Sequence, residues 1–290
     1  MKAPINGLEI EYETFGRQSD PAVLLIMGLG AQLTHWPQDF CDQLVAKGFH
    51  VIRYDNRDVG LSTKLEAAGM PDMVAIYSGT GKPSYSLDDM AADAAGLLDH
   101  LGIARAHVVG ASMGGMIAQL VATNHADKTL SLTSIMSTTG NPAVPPATAK
   151  AMAALTTTLP ADATMDVRID HGVRVSTIIG SPDVEQGTPE HRARLRAALE
   201  RSIYPVGFAR QMAAIVANGD RREKLKAVTA PTVVIHGAAD PLVHPDGGKD
   251  TAANIAGAQL LIIPGMGHDL PPFVYEPVVD AIAAVAARAA

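Results

Sequence analysis

Short apolar runs alternate with amphipathic stretches along the first half of the chain. From Leu8 to Thr14, Leu, Ile and Tyr alternate with Glu, a period-two pattern that predicts a half-buried strand. Ala22 to Met27 is continuously apolar, as a strand covered on both faces should be, and it stops at Gly28-Leu29-Gly30. Phe40 to Lys47 reads as a helix stopped by Gly48, and His50 to Tyr54 as the next strand. Leu87 to Leu101 has helical spacing and ends at Gly102, a C-terminal cap. A buried strand Ala106 to Val109, a helix Gly114 to Thr123 and a strand Leu130 to Met136 follow.

The texture then changes. Between about Thr138 and Asp220 lie Pro-rich turns and helical stretches such as Ala147 to Leu155 and Pro189 to Ser202; Val173 to Ile179 fits either helix or strand. The alternation resumes with a helix Arg221 to Val228 and a strand Thr232 to His236. A short helical turn Ala252 to Ala256, a strand Gln259 to Ile263 and a closing helix Pro277 to Arg288 complete it. Strands separated by helices predict an α/β fold, a mostly parallel sheet with helices on both faces. The expected division is a core of residues 1–137 and 220–290, with 138–219 inserted as a helical cap over the carboxyl ends of the strands.

Composition narrows the class. The chain has 290 residues, 47% of them hydrophobic and 18% charged, enough apolar matter for a large core. A net charge of −7 argues against nucleic acid or anionic membrane as a partner, because both want a basic face. One cysteine, Cys41, can form no internal disulfide. No apolar segment follows Lys2 as a secretory signal requires, and the run Ala22 to Met27 is far short of the ~20 residues of a membrane span. A cytoplasmic protein is expected.

The strongest chemical signal is Gly110-Ala111-Ser112-Met113-Gly114, set between a predicted buried strand and a predicted helix. A serine hydroxyl is a poor nucleophile unless it is exposed and aimed at a base; a tight strand-to-helix turn aims it, and small flanking residues let the turn close. The alternative is a flexible turn with Ser112 as a helix N-cap. Among ten histidines, His268 stands just beyond the strand Gln259 to Ile263, in a glycine-rich loop, although a solvated loop histidine is the commoner fate. Asp240 follows the strand Thr232 to His236 and could orient that histidine, or could simply start an Asp-Pro turn. Asp269 is the rival acid, but adjacent side chains in a loop seldom face each other. The order Ser112, Asp240, His268 is nucleophile, acid, base, the order of one hydrolase arrangement among the known convergent ones.

Backbone N–H groups of Leu29 and Met113 are the expected oxyanion donors. Gly28, His35 and Tyr204 are the candidate substrate contacts. A dinucleotide site after Ala22 to Met27 is disfavoured because Leu33 stands where a third glycine is needed. The charged run Arg53 to Ser62 reads as a structural loop in which Arg57 pairs with an aspartate. No metal motif is present, and no cofactor is expected.

Met27 to Gly30, Tyr54 to Ser62, Gly110 to Gly115 and the Asp240 and His268 loops together resemble the α/β-hydrolases over essentially the whole chain. Trp36 to Phe40, Arg53-Tyr54-Asp55 and Ile263 to His268 are similar to bacterial carboxylesterases that include aclacinomycin methylesterase-like enzymes. The resemblance implies Ser112, Asp240 and His268 as a triad and a cap inserted after the sixth strand. The loop after Met27 and the cap depart from that narrower group, so its substrate is not carried over. The expectation is a serine carboxylesterase acting on small to medium, rather hydrophobic esters, with activity rising with pH as His268 loses its proton. A polyketide-type methylesterase, a perhydrolase or lyase on the same residues, and a non-enzymatic ligand receptor are the alternatives. Monomer and homodimer stay open.

Overall fold

The computed structural model describes residues 1–289. Eight strands form one sheet: β1 (Lys2–Ile5), β2 (Leu8–Phe15), β3 (Ala22–Ile26), β4 (His50–Tyr54), β5 (Ala106–Ala111), β6 (Thr129–Ile135), β7 (Thr232–Gly237) and β8 (Gln259–Ile263). Their spatial order is β1-β2-β4-β3-β5-β6-β7-β8. β1–β2 and β2–β4 pair antiparallel, and the remaining pairs are parallel. Helices α1 (Gln38–Ala46), α2 (Met73–Tyr77), α3 (Leu87–His100) and α4 (Met113–Asn124) connect the first six strands. Between β6 and β7 come α5 (Ala149–Thr156), α6 (Met165–Ile179), α7 (Pro189–Arg201), α8 (Pro205–Asn218) and α9 (Arg222–Leu225); α10 (Pro245–Ala253) and α11 (Tyr275–Ala287) follow.

The central strands are buried on both faces, which is why their sequences run apolar without interruption. Their alternate residues feed two cores. Leu24, Ile26, Ile52 and Val108 pack with α3 and α4; Val23, Leu25, Val51 and Val109 pack with Phe40 of α1 and Val278 of α11. Strand order reverses at β3 and β5: the connection from β3 leads to β4 on one side, and the chain then returns to place β5 on the other. The loops leaving the carboxyl ends of β3 and β5 therefore diverge and leave a crevice. Residues 28–30 and Ser112 flank it.

Several boundaries differ from the expected ones, for local reasons. β1 goes unread in the sequence because it contains Pro4; it is an edge strand, where a missing N–H is tolerated. Val173 to Ile179 is rich in β-branched residues, yet it forms the last half of helix α6, whose start is capped by the Thr164 side chain accepting from the Val167 N–H. The expected short helical turn at Ala252 to Ala256 instead straddles the end of a longer helix, α10, which starts at Pro245 and stops at Ala253. α3 is followed by Gly102 at φ 68°, as its sequence predicts, and it begins with a reciprocal Ser86–Asp89 capping box. Among the described residues no helix is long and apolar enough to cross a membrane.

Candidate active site

Ser112 joins β5 directly to α4 with φ 58° and ψ −122°, a conformation that costs a non-glycine residue about 1–3 kcal/mol. Its neighbours have no room for side chains. A Cβ on Gly110 would lie 2.0 Å from the Gly114 carbonyl oxygen, and one on Gly114 would lie 2.0 Å from the Ile26 carbonyl oxygen. The turn is held from β6: the Ser112 N–H donates to the Ile135 carbonyl at 2.9 Å, and the Ser137 hydroxyl donates to the Ser112 carbonyl at 2.8 Å. Ser112 makes no side-chain cap on α4. Its Oγ instead lies 2.9 Å from Nε2 of His268.

His268 Nδ1 in turn lies 2.7 Å from Oδ2 of Asp240. A donor at Nδ1 leaves Nε2 as the acceptor for the serine proton. The two oxygens of Asp240 have different partners. Its Oδ1 accepts from the Leu242 and Val243 N–H groups, each at 2.9 Å, and so closes the Asp-Pro turn, while Oδ2 faces the imidazole. His236, fully buried on β7, stands behind this carboxylate. Its Nε2 donates to the Val243 carbonyl at 2.8 Å and lies 3.4 Å from Asp240 Oδ2. Burial alone would push the Asp240 carboxyl up, but the charge of His268, hydrogen bonds from His236 and His268 and the Val243 amide together hold it well below the ordinary carboxylate range. Asp269 turns the other way, to Ser181.

On the β3 side, Gly28 abuts the serine: a Cβ there would stand 3.1 Å from Ser112 Cβ. The Gly30 N–H is already committed to Gln211 Oε1 at 2.8 Å. The Leu29 and Met113 amides make no hydrogen bond among the described residues. The two other candidate contacts are placed differently. His35 is exposed at the end of a short 3₁₀ turn, Leu33–His35. The Tyr204 hydroxyl accepts from Arg210 Nη2 at 2.9 Å, and its ring faces the Arg210 and Lys64 cations.

The charged run after β4 fastens the neighbouring loops. Arg57 donates to Asp93 of α3 at 2.6 and 2.8 Å. Asp58 accepts two hydrogen bonds from Arg210 of α8, both 2.7 Å, and both side chains are fully buried. Asp55 accepts from the Leu33 and Leu61 amides at 2.7 Å and pairs with Arg201 of α7. Sequence reasoning missed Arg201 and Arg210, because no local motif links an arginine on a late helix to an aspartate some 150 positions earlier. Gln211 was missed because its partners, Gly30 and Arg57, are as remote in sequence, and His236 reads from the sequence as a core residue of its strand, although it also stands 3.4 Å from Asp240. Among the described residues no group of three or more His, Cys, Asp or Glu side chains could hold a metal ion.

Residues 21–273 match the family described as alpha/beta hydrolase fold. The chain belongs to that family. As an alpha/beta hydrolase it is 31% identical to a rhodomycin D methylesterase from Streptomyces peucetius, over 94% of this chain and 93% of the relative. It is 26% identical to 3-oxoadipate enol-lactonase 2 of Acinetobacter baylyi, over 88% of this chain and 84% of the relative. The solved enol-lactonase from Burkholderia xenovorans superposes with a TM-score of 0.73 at 25% identity, covering 100% of this chain and 99% of that one. The alpha/beta-hydrolase fold and the likeness to the methylesterase group expected from the sequence are thus both met.

Proposed function

We propose that this alpha/beta hydrolase is a serine carboxylesterase with Ser112 as nucleophile, His268 as general base and acid, and Asp240 as the orienting carboxylate. The relatives carry the coarser statement, that the chain is a carboxylic-ester hydrolase: those named methylesterase and enol-lactonase both cleave an ester bond, open or cyclic. The observation that carries the finer reading is the unbroken hydrogen-bond path from Ser112 Oγ through His268 to Asp240, at 2.9 and 2.7 Å.

In this mechanism His268 Nε2 takes the hydroxyl proton as Ser112 Oγ attacks the ester carbonyl. The oxyanion is received by the N–H groups of Leu29 and Met113. Neither has a partner among the described residues, so no hydrogen bond within them is given up as charge develops. Asp240, kept ionised, stabilises the imidazolium. That imidazolium then protonates the departing alcohol, and neutral His268 activates a water that hydrolyses the acyl-enzyme. Residues 138–219 act as a cap that shapes an apolar pocket; of the expected substrate contacts Gly28 lies beside Ser112, whereas Tyr204 is engaged with Arg210. The substrate is an uncharged, small to medium ester. A cytoplasmic site of action belongs to the same reading, supported by the single cysteine.

Ser112→Ala should lower p-nitrophenyl ester turnover by about 10³-fold or more with an unchanged circular dichroism spectrum. Full turnover in that variant would overturn the proposal. A panel of methyl, aryl and lactone substrates, with products identified by mass spectrometry, ranks the leaving groups and separates hydrolysis from perhydrolysis or lyase chemistry.

A further inference from the structure

The loop that carries His268 is gripped from two sides. On one side is β7: a Cβ on Gly237 would lie 2.2 Å from the Met266 carbonyl oxygen, and the Ala239 N–H donates to that oxygen at 3.0 Å. On the other side is the segment that ends α6, outside the sheet. The His268 N–H donates to the Ile179 carbonyl at 2.7 Å. The Gly267 N–H donates to Ser181 Oγ at 2.9 Å, and that hydroxyl donates onward to Asp269 Oδ1 at 2.6 Å. The same carboxylate oxygen accepts the Ser181 N–H at 3.0 Å. Gly180 and Gly267 meet backbone to backbone, since a Cβ on Gly267 would stand 2.3 Å from the Gly180 carbonyl carbon. Three successive residues, 267 to 269, are each tied to the end of α6, and Ser181, 3% exposed, is the one side chain that joins two of them.

We infer that Ser181, with Asp269, is a positioning residue for His268: a clasp by which the helical insertion sets the distance from the imidazole to Ser112. The inference rests on the reading of His268 as the base. The polarity of the relay is complete, because the Ser181 hydroxyl accepts one bond and donates one, and Asp269 needs only to accept. Remove the hydroxyl and the buried Gly267 N–H loses its acceptor, so the backbone one residue before His268 must move to find another. Asp240 fixes the ring's tautomer, but it cannot by itself fix where the main chain carries the ring. Asp269, adjacent to the base and acidic, serves through Ser181 rather than through the imidazole.

The test compares Ser181→Ala, Asp269→Ala and Asp269→Asn with the unaltered chain, using p-nitrophenyl ester kinetics and the far-downfield proton resonance of His268 Nδ1–H. The two alanine variants should lose about 10- to 100-fold in kcat with KM within about threefold, the signature of a displaced catalytic group, and should broaden or lose the resonance. Asp269→Asn keeps an acceptor at Oδ1 and should retain both. The double alanine variant should fall no further than the worse single one. A lowered melting temperature with kcat and resonance unchanged would show Ser181 to be merely structural and would overturn the inference. Should Ser181→Ala not fold, Asp269→Ala decides the matter by the same readouts. If the unaltered chain hydrolyses no ester, it is the esterase reading that fails. The clasp is then judged on the resonance, which sinks it if unchanged in the alanine variants and supports it if broadened or lost.

Discussion

The turn at Ser112 and the attachment of α7 and α8 solve the same problem, fixing a loop beside the crevice, by opposite means. The turn is fixed by the absence of side chains: backbone touches backbone at Gly110 and Gly114, where one added carbon would sit 2.0 Å from a carbonyl oxygen. The helices are fixed by long side chains with charge. Arg210 reaches Asp58, Arg201 reaches Asp55, and Gln211 joins the Gly30 amide to the Arg57 carbonyl. Steric closure has one geometry and no titratable part. Buried ion pairs are costly to desolvate, depend on both partners and answer to pH. Ser112, the proposed nucleophile, therefore sits in the unyielding region, and the parts of the chain around it are joined through a more adjustable one.

The comparison can be broken at its stiffest point first. Gly114→Ala should destabilise the fold by upwards of about 5 kcal/mol, near the limit for single substitutions, so that little folded protein is recovered. A soluble variant with wild-type melting temperature would show that the turn can yield. Arg210→Met comes next. It strands a buried carboxylate and should cost about 3–5 kcal/mol in urea unfolding, whereas adding Asp58→Leu should restore most of that stability. If the double variant were as unstable as the single one, the pair would matter for more than mutual neutralisation.

Gln211→Leu should have a smaller effect, about 1–3 kcal/mol, because it leaves the Gly30 N–H and the Arg57 carbonyl without partners. Its sharper consequence is kinetic. The Leu29 amide is next to Gly30, and kcat should fall about tenfold, less than the loss of an oxyanion donor outright. Unchanged kcat would detach Gln211 from the proposed oxyanion loop.

The mildest expected effect separates the two regions by pH. Burial pushes the Asp58 carboxyl up, but hydrogen bonds from Arg210 and the Leu65 amide pull it further down, so its net position is below the ordinary value. Its stabilisation is then complete above the unfolded carboxylate value of about 3.9 and is lost as pH falls through the lower folded value. In acid below about pH 4, amides of α8 should lose hydrogen-exchange protection before those of α4, whose steric anchor does not titrate. Simultaneous loss in both helices would remove the distinction.

What was legible in the sequence follows the same line. The strand and helix flanking Ser112, and the glycines that let them meet, are written within a few positions of one another, so the turn could be read directly. Asp240 and His268 stood out as candidates because each follows a predicted strand by a short, glycine-containing loop, although only β7 is buried and β8 is a half-exposed edge strand. β1 was hidden by Pro4, and α6 by its Val173 to Ile179 stretch, where Thr164 capping and packing on its neighbours outweigh local preference. The pairings of Arg201, Arg210 and Gln211 were not legible at all. A charged side chain on an amphipathic helix looks solvent-facing until the fold brings its partner alongside, and nothing local to Asp55 or Asp58 names the partner. Arg57 was expected to pair with some aspartate, and the fold supplies Asp93 from α3.

The most direct measurement of the central claim is the mass of the protein, intact and after peptide digestion, following brief exposure to a fluorophosphonate. An activated Ser112 should carry one phosphonyl adduct. It should be absent from Ser112→Ala and formed far more slowly in His268→Ala. No adduct, or an adduct that maps to another residue, would contradict the account.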